Sequence, residues 1–459
     1  MSIFTRNDVS RRAFIERAGL LGVAGAAMPF VMNLAAIGAA AAATAPDYKA
    51  LVCIFMYGGN DDANTLVPYD QPRYDLYARL RQTVALHRDS LGATLLTPSA
   101  PLAGGGQYAL HPALAPLMPI WNTGQLAAVL NVGTLVQPTT KAQWLARSVA
   151  IPPKLFSHND QQSYWLAAAP EGANSGWGGR IGDLLQSGNG IASLTCINPG
   201  DNTVFLSGKT AIQFALTTNG PVPLNNGNSA VFGSNTVGNT LKSFLAQPRT
   251  HVIENEQTRV GKRSLESCAT VVAALAKAPL LQTPFPPNQL SNQLRVVAQL
   301  IASSAEVGAK RQVFFVSMSG SDTHGNLLQS HAALMATLGN AMRAFHDATV
   351  ELRVADRVTA FTASDFGRTM TTNGGGSDHG WGSMHFVMGG AVKGRQFYGK
   401  PPVIADNGPD DIGQGRLLPT MSVDQYAATL ASWFGVGAGD MSTVLPNIGN
   451  YTTRNMGFV

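Results

Sequence analysis

The chain has 459 residues, enough for one large α/β domain or two ordinary ones. Only 13% of residues are charged and 45% are apolar, with 48 Gly and 26 Pro, which predicts a loop-rich chain with many small residues. The net charge is +5, of which residues 1–45 hold +2, so the remainder carries +3, too little and too scattered for a polybasic nucleic-acid surface.

In chain order, the first signal is "SRRAFIERAG", Ser10 to Gly19. Two arginines (Arg11, Arg12), one spacer, Phe14 and Ile15 resemble the twin-arginine export motif. A small, apolar run follows from Leu20 to Ala43, with cleavage expected after Ala43 or Ala45. A membrane anchor is the other reading, but Ala and Gly dominate the run, and Pro29 and Asn33 inside it weaken insertion. Residues 1–45 are therefore expected to be a removable signal peptide. The rest is expected to be periplasmic or exported, with the twin-arginine export machinery as a partner and no membrane span after signal removal.

Residues 46–459 read as a single α/β domain with a central, mostly parallel sheet flanked by helices. Apolar runs predict strands at Tyr48 to Gly59, Gln125 to Gly133, Arg311 to Gly320, Arg357 to Gly367 and Met384 to Val392. A helical pattern lies between the third and fourth strands, and another spans Val423 to Phe434 after a Ser422 start signal. The Asn-, Gly-, Ser- and Pro-rich stretch from about 200 to 290 reads as an irregular insertion, helical from about 256 to 277. Cys53, Cys196 and Cys268 form no C-x-x-C pair and allow at most one disulfide.

In open α/β sheets, ligands bind on loops at the carboxyl ends of strands. The polar clusters fall there. "GGNDDANT" offers Asp61 and Asp62, "SGSDTHGN" offers Asp322 and His324, and "SDFGRTMTTNGGGSDHGWGSMH" offers Asp365, Asp378, His379 and His385. Taken singly, Asp61 and Asp62 also read as a turn and helix cap. Taken together, so many carboxylates and imidazoles on one edge call for one or two divalent ions such as zinc, manganese or calcium. "LFSHNDQQSYW" places Ser157 at a helix start. There it serves as a cap with Asp160, as a nucleophile, or as both. Arg180 and Arg368 are candidates to hold a small anionic substrate.

The stretches "MYGGNDDANTLVP", "FSHNDQQSYW", "SGWGGRIGDLL", "SGSDTHGN" and "TASDFGRT…GSDHGWGSMHFVMGG" resemble the bacterial family catalogued as domain of unknown function 1501, across nearly the whole chain after residue 45. That family looks like a branch of the alkaline phosphatase-like superfamily of phosphatases and sulfatases. The resemblance implies a three-layer fold and a hydrolase of phosphate or sulfate esters. It implies Asp61 as the first metal-binding Asp, Ser157 as nucleophile, Asp322 and His324 as an Asp…His pair closer than usual, and His379 or His385 as the final ligand. Asp365 matches the Asp of the family's Asp-His pair, but Phe366 stands where the His is expected, and the C-x-P-x-R sulfatase modification motif is missing. The alternative is therefore a catalytically degenerate relative that acts as a binding or assembly factor for cell-surface material.

Overall fold

The computed structural model describes residues 47–200, 202–221, 230–405 and 407–459, so the expected signal peptide lies outside the described residues. In chain order the strands are β1 (Lys49–Met56), β2 (Leu66–Pro68), β3 (Tyr108–Leu110), β4 (Leu126–Gly133), β5 (Cys196–Asn198), β6 (Phe214–Ala215) and β7 (Arg311–Met318). They continue with β8 (Val358–Ser364), β9 (Arg368–Thr372), β10 (Ser377–His379), β11 (Ser383–Met388), β12 (Gln396–Tyr398) and β13 (Met421–Ser422).

β1 reads KALVCIFM and is buried at every position but Lys49. A strand apolar on both sides belongs between two layers. Ala50, Val52, Ile54 and Met56 face one core, shared with the helices Gln289–Ala302 and Leu327–Glu351. Leu51, Cys53 and Phe55 face the other, shared with the helices His158–Ala167, Trp177–Leu185 and Val423–Phe434. Each large apolar side chain buried this way contributes about 1.5–3 kcal/mol, so the two cores hold the sheet from both faces.

The sheet has nine strands in the order β12-β4-β11-β8-β1-β7-β5-β6, with β13 added beside β4. β7 and β8 both flank β1 in parallel, with Lys49 opposite Arg311 and Ala50 opposite Val358. The helix Leu327–Glu351 carries the chain from β7 across to β8, as the strand–helix–strand pattern predicts. The protein is thus mixed α/β with a central, mostly parallel sheet flanked by helices. β11 departs from the parallel pattern, running antiparallel to both β4 and β8.

The expected insertion holds the helices Asn235–Leu245 and Val252–Lys277 among its described residues. After β1 the chain turns through Gly58 and Gly59, both at positive φ. A Cβ on Gly59 would stand 2.3 Å from the Phe366 ring, so the close approach of the β1 and β8 loops requires glycine there.

Candidate metal centre

Three loops and one helix start meet beyond the carboxyl ends of β1, β7 and β8. His158 is the first residue of its helix, behind Ser157. Its Nδ1 lies 2.7 Å from Asp365 Oδ2. Asp365 is fully buried, and the same oxygen accepts from Gln162 Nε2 at 2.9 Å and the Gly58 amide at 3.2 Å. A carboxylate only accepts, so the proton sits on Nδ1 and Nε2 is left facing Asp322 Oδ2 at 3.6 Å. The hydrogen bond to Asp365 raises the His158 pKa above its ordinary value, with burial opposing it.

His379 is oriented the same way. Its Nδ1 lies 2.7 Å from the Phe156 carbonyl, which also only accepts, so Nε2 again carries a lone pair. Burial is the main cause that lowers its pKa. Arg416 steadies this contact from behind, donating to the His379 carbonyl at 3.0 Å while its guanidinium covers the Phe156 ring. His324 Nδ1 lies 3.0 Å from Asp378 Oδ1.

These constraints aim three acceptor atoms at one another. His324 Nε2 stands 3.0 Å from His379 Nε2 and 3.0 Å from Asp322 Oδ1, and His379 Nε2 stands 3.2 Å from the same oxygen. Arg368, 2.8 Å from the same Asp322 oxygen, offsets part of the repulsion among these atoms, and an ion or a shared proton would offset the rest. Ligands about 2.0–2.1 Å from a tetrahedral metal are about 3.3 Å apart, close to this triangle. His158, Asp322 and His379 also offer ligand atoms that all lie within 4.8 Å of one another.

Arg368 is buried beside them. It donates to Asp322 Oδ1 at 2.8 Å, the Gly58 carbonyl at 3.0 Å and the Ser377 carbonyl at 3.0 Å. Burial pushes the Asp322 carboxyl up, but the hydrogen bond and charge of Arg368, with His324 and His158, leave it below its ordinary value. Phe366 closes one side, its ring 5.0 Å from that of His158 and 4.7 Å from that of His379.

Residues 48–440 match the family described as Protein of unknown function (DUF1501). The chain belongs to that family. No curated protein matches the chain. Among solved structures, it is similar to the crystal structure of Ps i-CgsB, alone and in complex with k-i-k-neocarrahexaose. Each match has 8% identity over 87% of this chain and 77% of the other, with a TM-score of 0.33, too low to bear on activity.

The DUF1501 chain brings together Asp322, His324, Arg368, Asp378 and His379 of the residues singled out in the sequence. It adds His158, which sequence reading passed over. The available signal was an imidazole directly after the Ser expected to start a helix, in "FSHND". Asp365 lies in the same cluster, where its Oδ2 holds His158 Nδ1 and would orient that imidazole toward an ion, while its buried Oδ1 has no hydrogen-bond partner among the described residues. Asp378 would orient His324 in the same way.

Besides Asp365 and Asp378, five more of the expected site residues are placed otherwise. Asp61 is locked in a fully buried ion pair with Arg81 at 2.7 Å and accepts from Ser377 Oγ at 2.6 Å, so its charge is already balanced away from the imidazoles. Burial, with the charge of Asp61 next, pushes the Asp62 carboxyl up to about 8, so it keeps its proton at neutral pH and is a poor metal ligand. Ser157 Oγ donates to Asp160 Oδ2 at 2.9 Å, a contact made within its own helix start and not to any of the three imidazoles. Arg180 spends its guanidinium on the carbonyls of Val444, Ser175 and Ala167 at 2.6–2.9 Å, which staples three segments and leaves no fork for an anion. His385 sits in the core, edge-on to Trp165 at 4.6 Å and 3.4 Å from Thr362 Oγ1.

Burial pushes His385 down to about 3. A histidine depressed on folding contributes stability that is whole above its unfolded pKa of about 6.5 and is lost as pH falls toward the folded value. His385→Phe removes that loss. In urea titrations across this window the variant is expected to lose less stability than wild type, with its metal content unchanged. A drop in bound metal would make His385 a ligand after all.

Proposed function

We propose that this DUF1501 protein is an exported, metal-dependent hydrolase of phosphate or sulfate esters with an alkaline phosphatase-like architecture. The observation that carries the reading is the triangle of Asp322 Oδ1, His324 Nε2 and His379 Nε2, with His158 Nε2 beside it. Three imidazoles and one carboxylate suit zinc or manganese better than calcium, which takes oxygen ligands. Bound there, such an ion polarises an ester oxygen and lowers the pKa of water.

The chain's own groups prepare that chemistry. Asp365 keeps the His158 proton on Nδ1, and the Phe156 carbonyl does the same for His379, so both rings present Nε2. Arg368 holds Asp322 in place and is a positioning residue, because its N–H groups are directed at Asp322 and the Gly58 and Ser377 carbonyls. The Phe366 ring excludes water from one side. With Ser157 tied to Asp160, the attacking oxygen in this reading comes from water.

That same Ser157 contact, with Phe366 in the place of a ligand, favours the second reading, a non-catalytic binding or assembly factor for cell-surface material. One experiment separates the two. The protein is purified without chelator, its metal is measured, and an aryl phosphate and an aryl sulfate are offered before chelation, after it, and after refilling with zinc or manganese. Turnover lost to the chelator and restored by metal is the expected result. Stoichiometric metal without turnover supports the binding factor, and protein that neither holds nor takes up metal sinks the hydrolase reading.

A further inference from the structure

Among the described residues, the helices Asn235–Leu245 and Val252–Lys277 form an arm that packs on the core through Val271 and Ala274 but leaves the apolar stripe of its first helix exposed. In the first helix only Gly238 is fully buried. Val237, Leu241 and Phe244 recur at helical spacing, and all are exposed, Phe244 at 57%. Phe232 just before the helix is 99% exposed, and Ile253 in the first turn of the second helix is 72% exposed. A helix whose apolar stripe faces outward is made to cover something, because soluble monomers rarely leave such a patch bare.

The charge says what covers it. Residues 230–278 hold Lys242, Arg249, Arg259, Lys262, Arg263 and Lys277 against Glu254, Glu256 and Glu266. That excess of three equals the whole net charge of residues 46–459, the +5 of the chain less the +2 of residues 1–45. The net excess of residues 46–459 thus falls on this arm, although Arg259, Lys262 and Lys277 are ion-paired there with Glu256, Glu266 and Glu306. The Arg249 guanidinium lies over the exposed Phe244 ring at 4.3 Å, which puts a cation at the edge of the stripe. A second copy of the arm would bring like charge against like charge. A surface of anionic headgroups over acyl chains matches both features.

We infer that this arm docks the protein on an anionic lipid surface, apolar stripe inward and basic residues at the headgroups. Among the described residues no helix is long and apolar enough to cross a membrane, so the arm lies on the surface rather than spanning it. The site of the proposed hydrolase plays no part in this inference.

The test uses the full chain, in parallel with the double variant Leu241→Gln, Phe244→Gln. Both proteins are floated with vesicles of phosphatidylglycerol and phosphatidylcholine, and with phosphatidylcholine alone. Wild type is expected to bind the phosphatidylglycerol vesicles, more weakly at high salt, and to bind pure phosphatidylcholine poorly. The variant carries the same N-terminus, so any difference reads the arm, and its partitioning is expected to fall about tenfold or more. Circular dichroism should not change, because both side chains are exposed. Equal partitioning of the two proteins, or no binding by wild type, overturns the proposal. So does a wild-type dimer that the variant breaks, since a second copy then covers the stripe.

Discussion

Arg81→Ala is expected to cost the fold about 3–5 kcal/mol, read as a shift in the urea midpoint at neutral pH. Arg81 and Asp61 have no side-chain exposure and meet at 2.7 Å. Arg81 also donates to the Thr369 carbonyl at 3.1 Å, and Asp61 Oδ1 accepts from the Asn64 amide at 2.9 Å. Removing the cation strands a carboxylate in the interior. Burial pushes the Asp61 pKa up, yet Arg81, His331 and Ser377 leave it below 3.8. Its stabilising contribution is therefore present above pH 3.8 and is lost only as pH falls below that value. Replacing both partners, as Asp61→Asn with Arg81→Met, is expected to recover most of the loss. The Asp61→Asn single variant should keep its metal. A loss below about 1 kcal/mol in Arg81→Ala, or metal lost from Asp61→Asn, returns Asp61 to the ligand set.

His379→Ala and Asp322→Ala are each expected to release the metal, because each removes an atom of the triangle. Asp365→Asn acts more gently. Its side chain touches no neighbouring ligand but His158, and weakening that contact is expected to lower metal affinity about 10–100-fold. The graded series is the useful readout, measured by competition with a chelating dye on protein whose circular dichroism matches wild type. Unchanged affinity in both alanine variants would leave the cluster as a hydrogen-bonded loop knot.

Strands were legible where burial on both faces wrote continuous apolar runs, as in β1 and β8. Strand direction was not, because an apolar run such as "MHFVM" reads the same in a parallel or an antiparallel strand. The loops were legible as a polar edge, which is why Asp322, His324 and His379 were found. Partner choice was the hidden part. Nothing near "GGNDDANT" reveals that Arg81, 20 residues on, neutralises Asp61. Likewise, His385 lies only six residues after His379, but as the third residue of β11 it turns inward to Trp165. His158 escaped because Ser157 already explained its stretch as a helix cap.

β1 lies at the middle of the sheet, yet neither of its partners has been made when it leaves the ribosome. Its neighbours begin at Arg311 and Val358, so both of its edges wait for most of the chain. Closing loops that long makes the central pairing slow, and in the interval an apolar eight-residue strand is free to pair with the wrong edge. The proposed metal site would share this timing, since Asp322 and His379 come with the chain around β7 and β10. Nascent chains that end before Arg311 therefore leave both edges of this apolar strand unpaired.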